Sequence, residues 1–252
     1  MALAGAALAT CVGSNAYAHF QELIPSTQIA SEKKDAKISF NIRFTHPMAN
    51  GPIMEMGPPT VFGVLVNGVR TDLRSALKAK KTNGKSTYTA DFKLARPAEH
   101  VFFIQPAPYW EPAEETMIIH YTKVVVNAFG ADEGWSDMVG FPVEIMPLTR
   151  PYGLWTGNAF TGIVTKNGQP VPFADVEVEY RSEGKVKAPS DPYVTQVVRA
   201  DGNGVFSYVM PRAGWWSFAA LVTAEQPVKS PQGKDVPLEE GGLIWVRTVD
   251  MK

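Results

Sequence analysis

Three Asn-Gly pairs, Asn67-Gly68, Asn83-Gly84 and Asn167-Gly168, each lie between apolar runs. Asn-Gly accepts positive φ at both central positions of a type I′ turn, so each pair predicts a two-residue β-hairpin. Asp201-Gly202-Asn203-Gly204 predicts a further tight turn. A chain punctuated in this way folds mainly as antiparallel strands. The segments between the turns agree. Ile38, Phe40, Ile42 and Phe44 alternate with Ser39, Asn41, Arg43 and Thr45, the period-two pattern of a half-buried strand. Met117–Val126 is long and β-branched, Asp175–Tyr180 alternates valine with acidic residues, and Val205–Val209 and Trp215–Val222 are rich in aromatics. Only Thr71–Lys81 reads as helical, and briefly.

Two prolines and a glycine punctuate Met146-Pro147-Leu148-Thr149-Arg150-Pro151-Tyr152-Gly153, which predicts a boundary. The expected fold is all-β, with two β-sandwich domains. Residues 19–150 form the first, and 151–252 form a smaller second one whose short strands recur about every 10 residues. No internal repeat or low-complexity tract is visible.

Residues 1–18 carry no charged side chain and end in Ala16-Tyr17-Ala18, an apolar core followed by an A-x-A signal for export and cleavage. No Lys or Arg follows Met1, which points to a start further upstream. The one cysteine, Cys11, falls inside this segment, and Thr10 before it argues against a lipoprotein site. Cleavage after Ala18 makes His19 the first residue of a periplasmic protein without cysteine, and so without disulfides or thiolate metal ligands. The net charge of −1 offers no basic surplus for nucleic acid. No later apolar run is long enough to span a bilayer as a helix.

A free α-amino group and its own imidazole can close a chelate ring on one metal ion, and imidazole suits nickel, copper, zinc and iron. His19 is therefore a candidate ligand, although cleavage can equally leave a solvated histidine there. His46 continues the inward parity of Ile38 to Phe44, with Pro47 ending the strand; it either caps the core or opens into a mouth between sheets. His120 lies on the long strand, and a buried neutral histidine needs a partner. Read singly, His46 and His120 fit structural roles as well as ligation. His100 reads as a surface residue. Met54 and Met56, with Met48 upstream, offer thioethers to a soft ion or fill an irregular part of the core. Pro106–Pro112 reads as a rigid aromatic loop laid on the core, with a binding platform as the alternative. Asp132, Glu133 and Asp137 form an acidic loop of no recognised calcium spacing. No nucleophile elbow, P-loop, His-Glu-x-x-His or zinc-finger spacing is present.

Several blocks resemble a family of bacterial periplasmic proteins associated with cobalt and nickel uptake, otherwise described as a domain of unknown function. They are Phe44-Thr45-His46-Pro47, Gly51-Pro52-Ile53-Met54-Glu55-Met56, Pro108-Tyr109-Trp110-Glu111-Pro112 and Ile118-Ile119-His120-Tyr121-Thr122-Lys123, with Leu148 to Gly153 and Pro211 to Trp216. The C-terminal half also resembles the transthyretin-like module found beside carboxypeptidases, through Gly162-Ile163-Val164, Gly168-Gln169-Pro170-Val171-Pro172 and Ala174 to Val178. The resemblance implies a nickel or cobalt site made by His19, His46 and His120; Met54 and Met56 are candidate outer ligands on their thioether chemistry, and copper or zinc are other acceptable ions. It implies a non-enzymatic binding protein that serves a membrane transporter. Some members carry a second histidine two residues after the first; here that position is Gln21. The competing expectations are a copper-dependent oxidative enzyme, with His19 in an N-terminal histidine brace, and a metal-free interaction module.

Overall fold

The computed structural model describes residues 19–252; residues 1–18, read above as an export signal and containing Cys11, lie outside the described residues. The chain is all-β: among the described residues the helical elements are three short 3-10 turns. All three Asn-Gly pairs turn as expected, with φ of 50° and 74°, 51° and 78°, and 51° and 76°. The strand Lys37–Thr45 alternates buried and exposed side chains over most of its length.

The segment 71–81 is not a helix. It divides into the strand Val69–Asp72, the 3-10 turn Arg74–Ala76 and the strand Lys78–Thr82. The last of these pairs with Lys85–Lys93 across Asn83-Gly84. A hairpin ladder outweighs the weak helical preference of Ala, Leu and Lys, because propensity yields to tertiary pairing.

A sheet of 11 strands forms the central layer. Val61–Val66, Ala98–Gln105 and Thr116–Ala128 supply it from the first half, and Asp175–Tyr180, Gly214–Thr223 and Leu238–Val249 from the second. The halves join where Met117–Val124 runs parallel to Leu238–Trp245. On one face packs a five-stranded sheet built on Phe20–Pro25, Lys37–Thr45 and Lys85–Lys93. On the other packs a four-stranded sheet containing Val143–Pro147, Ala159–Lys166 and Val205–Val209. Val143–Pro147, which runs into the Pro- and Gly-rich stretch at Met146-Pro147, thus belongs by pairing to the sheet of the second half.

Successive residues of the C-terminal strands enter different cores. Ala219, Leu243 and Trp245 point into the first core, while Phe218, Ala220, Ile244 and Val246 point into the second. A strand buried on both faces reads as a continuous apolar run, as Leu243-Ile244-Trp245-Val246 does. Trp245 also crosses to the N-terminal strand, where its Nε1 donates to the carbonyl of Gln21 at 2.9 Å.

His100 is a correction. It is buried rather than on the surface, with its Nδ1 3.1 Å from the carbonyl of Ala98 and its ring against Phe92 and Phe102. It lies within Ala98–Gln105, a strand buried along nearly its whole length.

Candidate metal-binding site

Antiparallel pairing sets Phe20 opposite Thr45. One further step along that register places His19 opposite His46, and their ring centroids lie 4.8 Å apart. His19 is thus held beside His46, which directly follows Lys37–Thr45, by the same ladder that builds the outer sheet. Phe44 is the hub: its ring is 5.6 Å from His19, 5.4 Å from His120 and 5.1 Å from Tyr109. Three residues 101 positions apart in sequence at their extremes therefore share one end of the first core.

Glu111 completes the cluster. Tyr109–Glu111, within the aromatic stretch read as a loop, is a short strand on the edge of Thr116–Ala128, with Tyr109 opposite Ile118. Glu111 accepts from the backbone N–H of Ala113 at 3.0 Å, and its other oxygen is 3.0 Å from Nε2 of His19. The sequence signal for it was slight, a lone carboxylate between Trp110 and Pro112.

Burial favours the neutral imidazole at His19 and His120. Removal from water, reinforced by His46, lowers the pKa of His19 to about 4, against the opposing pull of Glu111. Burial and then His19 lower that of His120 to about 3. His120 is 1 % exposed, and its Nδ1 has no hydrogen-bond partner. A buried polar nitrogen left unsatisfied is costly and rare in native proteins. Among the described residues, no three His, Cys, Asp or Glu side chains already stand grouped as a metal cage, and the acidic loop at Asp132 to Asp137 forms none either. Met56 lines a narrow pocket together with His120, Tyr109 and Phe44. Met54 is buried in the core, opposite Phe44.

The second half of the chain shapes this site. Gly241 lies beside His120 in the parallel ladder, and a Cβ there would stand 2.6 Å from the ring Cδ2. Gly242 serves the opposite face, where a Cβ would meet the carbonyl oxygen of Val143 at 2.8 Å. The loop after His46 is strapped from the same side. The backbone N–H of Met48 donates to Glu179 at 3.0 Å, and that of Ser182 donates to the carbonyl of Pro47 at 3.1 Å.

Glu179 is fully buried, and burial raises its pKa to about 8 despite the donors from Thr195 and Met48. An unfolded carboxyl titrates near 4.3, so the folded state retains a proton that the unfolded state releases. The stabilisation is complete below about pH 4.3 and is lost as pH rises through about 8. Glu179→Gln, which mimics the protonated acid, is expected to flatten the fall in melting temperature between pH 6 and 9 while changing it little at pH 5. Parallel melting curves for the two proteins would refute this assignment.

No curated protein matches the sequence. Solved structures similar to it include the Yersinia pseudotuberculosis adhesin InvE, at 11 % identity and a TM-score of 0.25, with 88 % of this chain and 58 % of that one covered. A two-domain fibronectin type III segment of chicken tenascin is similar at 10 % identity and a TM-score of 0.24, covering 90 % of this chain and 98 % of that one. The chain spans 58 % of the length of the InvE structure, and at such scores neither likeness bears on function. The model of the family described as "Domain of unknown function (DUF4198)" matches residues 16–224, and the chain belongs to that family.

Proposed function

We propose that this chain is an exported periplasmic protein that binds a divalent transition metal, nickel or cobalt, in the histidine cleft and passes it to a membrane transporter. It is a carrier, not an enzyme. The observation that carries the reading is the convergence of His19, His46, His120 and Glu111 at one end of the core, with Nδ1 of His120 buried and unpartnered. Nitrogen with one carboxylate suits borderline ions, nickel and cobalt among them and zinc and copper also. Burial holds the pKa values of His19 and His120 well below physiological pH, so no proton has to leave these two imidazoles before they coordinate. Cleavage after Ala18 frees the α-amino group of His19 as a further donor, and Met56, which lines the pocket beside His120, with Met54 opposite Phe44, supplies thioethers as outer ligands.

The test is calorimetric titration of the chain beginning at His19 with Ni²⁺, Co²⁺, Zn²⁺ and Cu²⁺. The expected result is one ion per chain, with affinity falling at least about a hundredfold when either His46 or His120 becomes Ala, since each lost ligand costs several kcal/mol. Failure of every ion to bind, or unchanged affinity in both variants, would overturn the reading.

A further inference from the structure

A charged groove lies away from the histidines. It sits at the other end of Phe20–Pro25, where Ile24 and Pro25 meet the ends of Asp175–Tyr180, Gly214–Thr223 and Leu238–Val249. Five or six residues at about 3.3 Å each separate it from the histidine cleft along that strand. We propose that this groove is a second binding site, for a small organic anion that carries an acid group on a flat or apolar body.

The charge balance points to an anion. Arg181, Lys185, Arg247 and Lys252 line the groove against Glu183 and Asp250. Arg181 is engaged by Glu22 and Glu183, and Lys185 by Glu183. Among the described residues, Arg247 and Lys252 have no carboxylate within ion-pair distance. The guanidinium of Arg247 instead lies 5.9 Å from the ring centroid of Trp215, its neighbour across the ladder. A guanidinium held against an indole keeps its donors in a fixed planar fork, the geometry that takes a carboxylate or phosphate through two parallel hydrogen bonds.

The walls point to a body behind the acid group. Ile24, Pro25, Trp215 and Val249 give the groove an apolar side, and its volume is about 640 Å³. That is the size of an organic ligand site and far more than a bare phosphate or sulfate fills. The end of the groove is shaped by Gly214, at φ 138°, where a Cβ would fall 2.6 Å from the ring of Tyr180. The absence of that Cβ lets the tyrosine lie across the strand and donate its hydroxyl to the carbonyl of Ala213 at 3.0 Å.

The probe is 2-naphthoate, a carboxylate on a flat ring, titrated into metal-free full-length chain with Trp fluorescence and calorimetry as readouts. Binding at one site is expected, weakened at least about tenfold by Arg247→Glu, the loss of one bidentate charge-assisted contact. Lys252→Glu should weaken it less. Arg199→Glu, an exposed cation paired with Asp175 on the edge strand, should leave it unchanged. Arg247 is exposed, so its variant is expected to fold, as its melting temperature will show. Equal affinity for naphthalene-2-methanol would remove the role of the acid group, and displacement by millimolar inorganic phosphate would remove that of the body. Either result, no binding at all, or unchanged affinity in Arg247→Glu overturns the proposal. None of these outcomes depends on the metal reading, which uses other residues.

Discussion

Glu144→Ala is expected to cost about 3–5 kcal/mol of stability, the loss typical when one partner of a buried ion pair is removed. Lys123 and Glu144 have side chains 1 % and 2 % exposed and meet at 2.6 Å. The same carboxylate accepts from the backbone N–H groups of Val139 and Gly140 at 2.8 Å each and of Phe141 at 3.2 Å. One side chain thus neutralises a buried ammonium and pins the loop that brings Val139 and Phe141 over the central sheet. Burial already pulls the Lys123 pKa below its usual value, with Glu144 and more weakly Asp137 holding it up, and without Glu144 the main offset to that burial is lost. Lys123→Met should cost less, because Glu144 keeps its three backbone donors. Urea unfolding separates the cases. A loss below about 1 kcal/mol for Glu144→Ala, the size of an exposed pair, would mean that water reaches the pair.

Gly241→Val is expected to have the largest effect on the site. Its Cβ would stand 2.6 Å from Cδ2 and 3.1 Å from Nε2 of His120, with a methyl of Leu243 also at 3.1 Å. The ring is buried and packs edge-on against Phe44, so it can yield only by repacking against its neighbours. Overpacking of this kind costs about 1–3 kcal/mol. The milder Gly241→Ala should displace the imidazole, shift its ¹H–¹⁵N signals and, on the metal reading, weaken Ni²⁺ binding by about tenfold or more, a loss of about 1.4 kcal/mol. Gly202→Ala is the control: its Cβ meets nothing nearer than the ring of Phe173 at 3.7 Å, and neither property should move. Unchanged His120 signals in Gly241→Ala would show that the glycine is not what makes room for the ring.

The sequence by itself determined the strands and turns. Asn-Gly demands positive φ wherever it occurs, and alternation from Ile38 to Phe44 needs only one buried face. Both are local constraints, readable without knowing what packs opposite. His46 was legible for the same reason, as the next inward position on a strand stopped by Pro47. The double-faced run Leu243 to Val246, the extended path of Lys78–Thr82 and the burial of His100 depend on neighbours remote in sequence, and no local pattern encodes those. The site divides in the same way. Residue type marked His19 and His120 as possible donors, but a donor becomes a site only through register and packing. The ladder that carries His19 to His46, the edge strand that brings in Glu111, and Gly241, which clears space for His120 from more than a hundred residues away, were decided by the tertiary structure alone. The physical reason is that hydrogen-bonding preference and side-chain period act over a few residues. The distance between two imidazoles is set by how separate strands pair and by which side chains are small enough to let them approach.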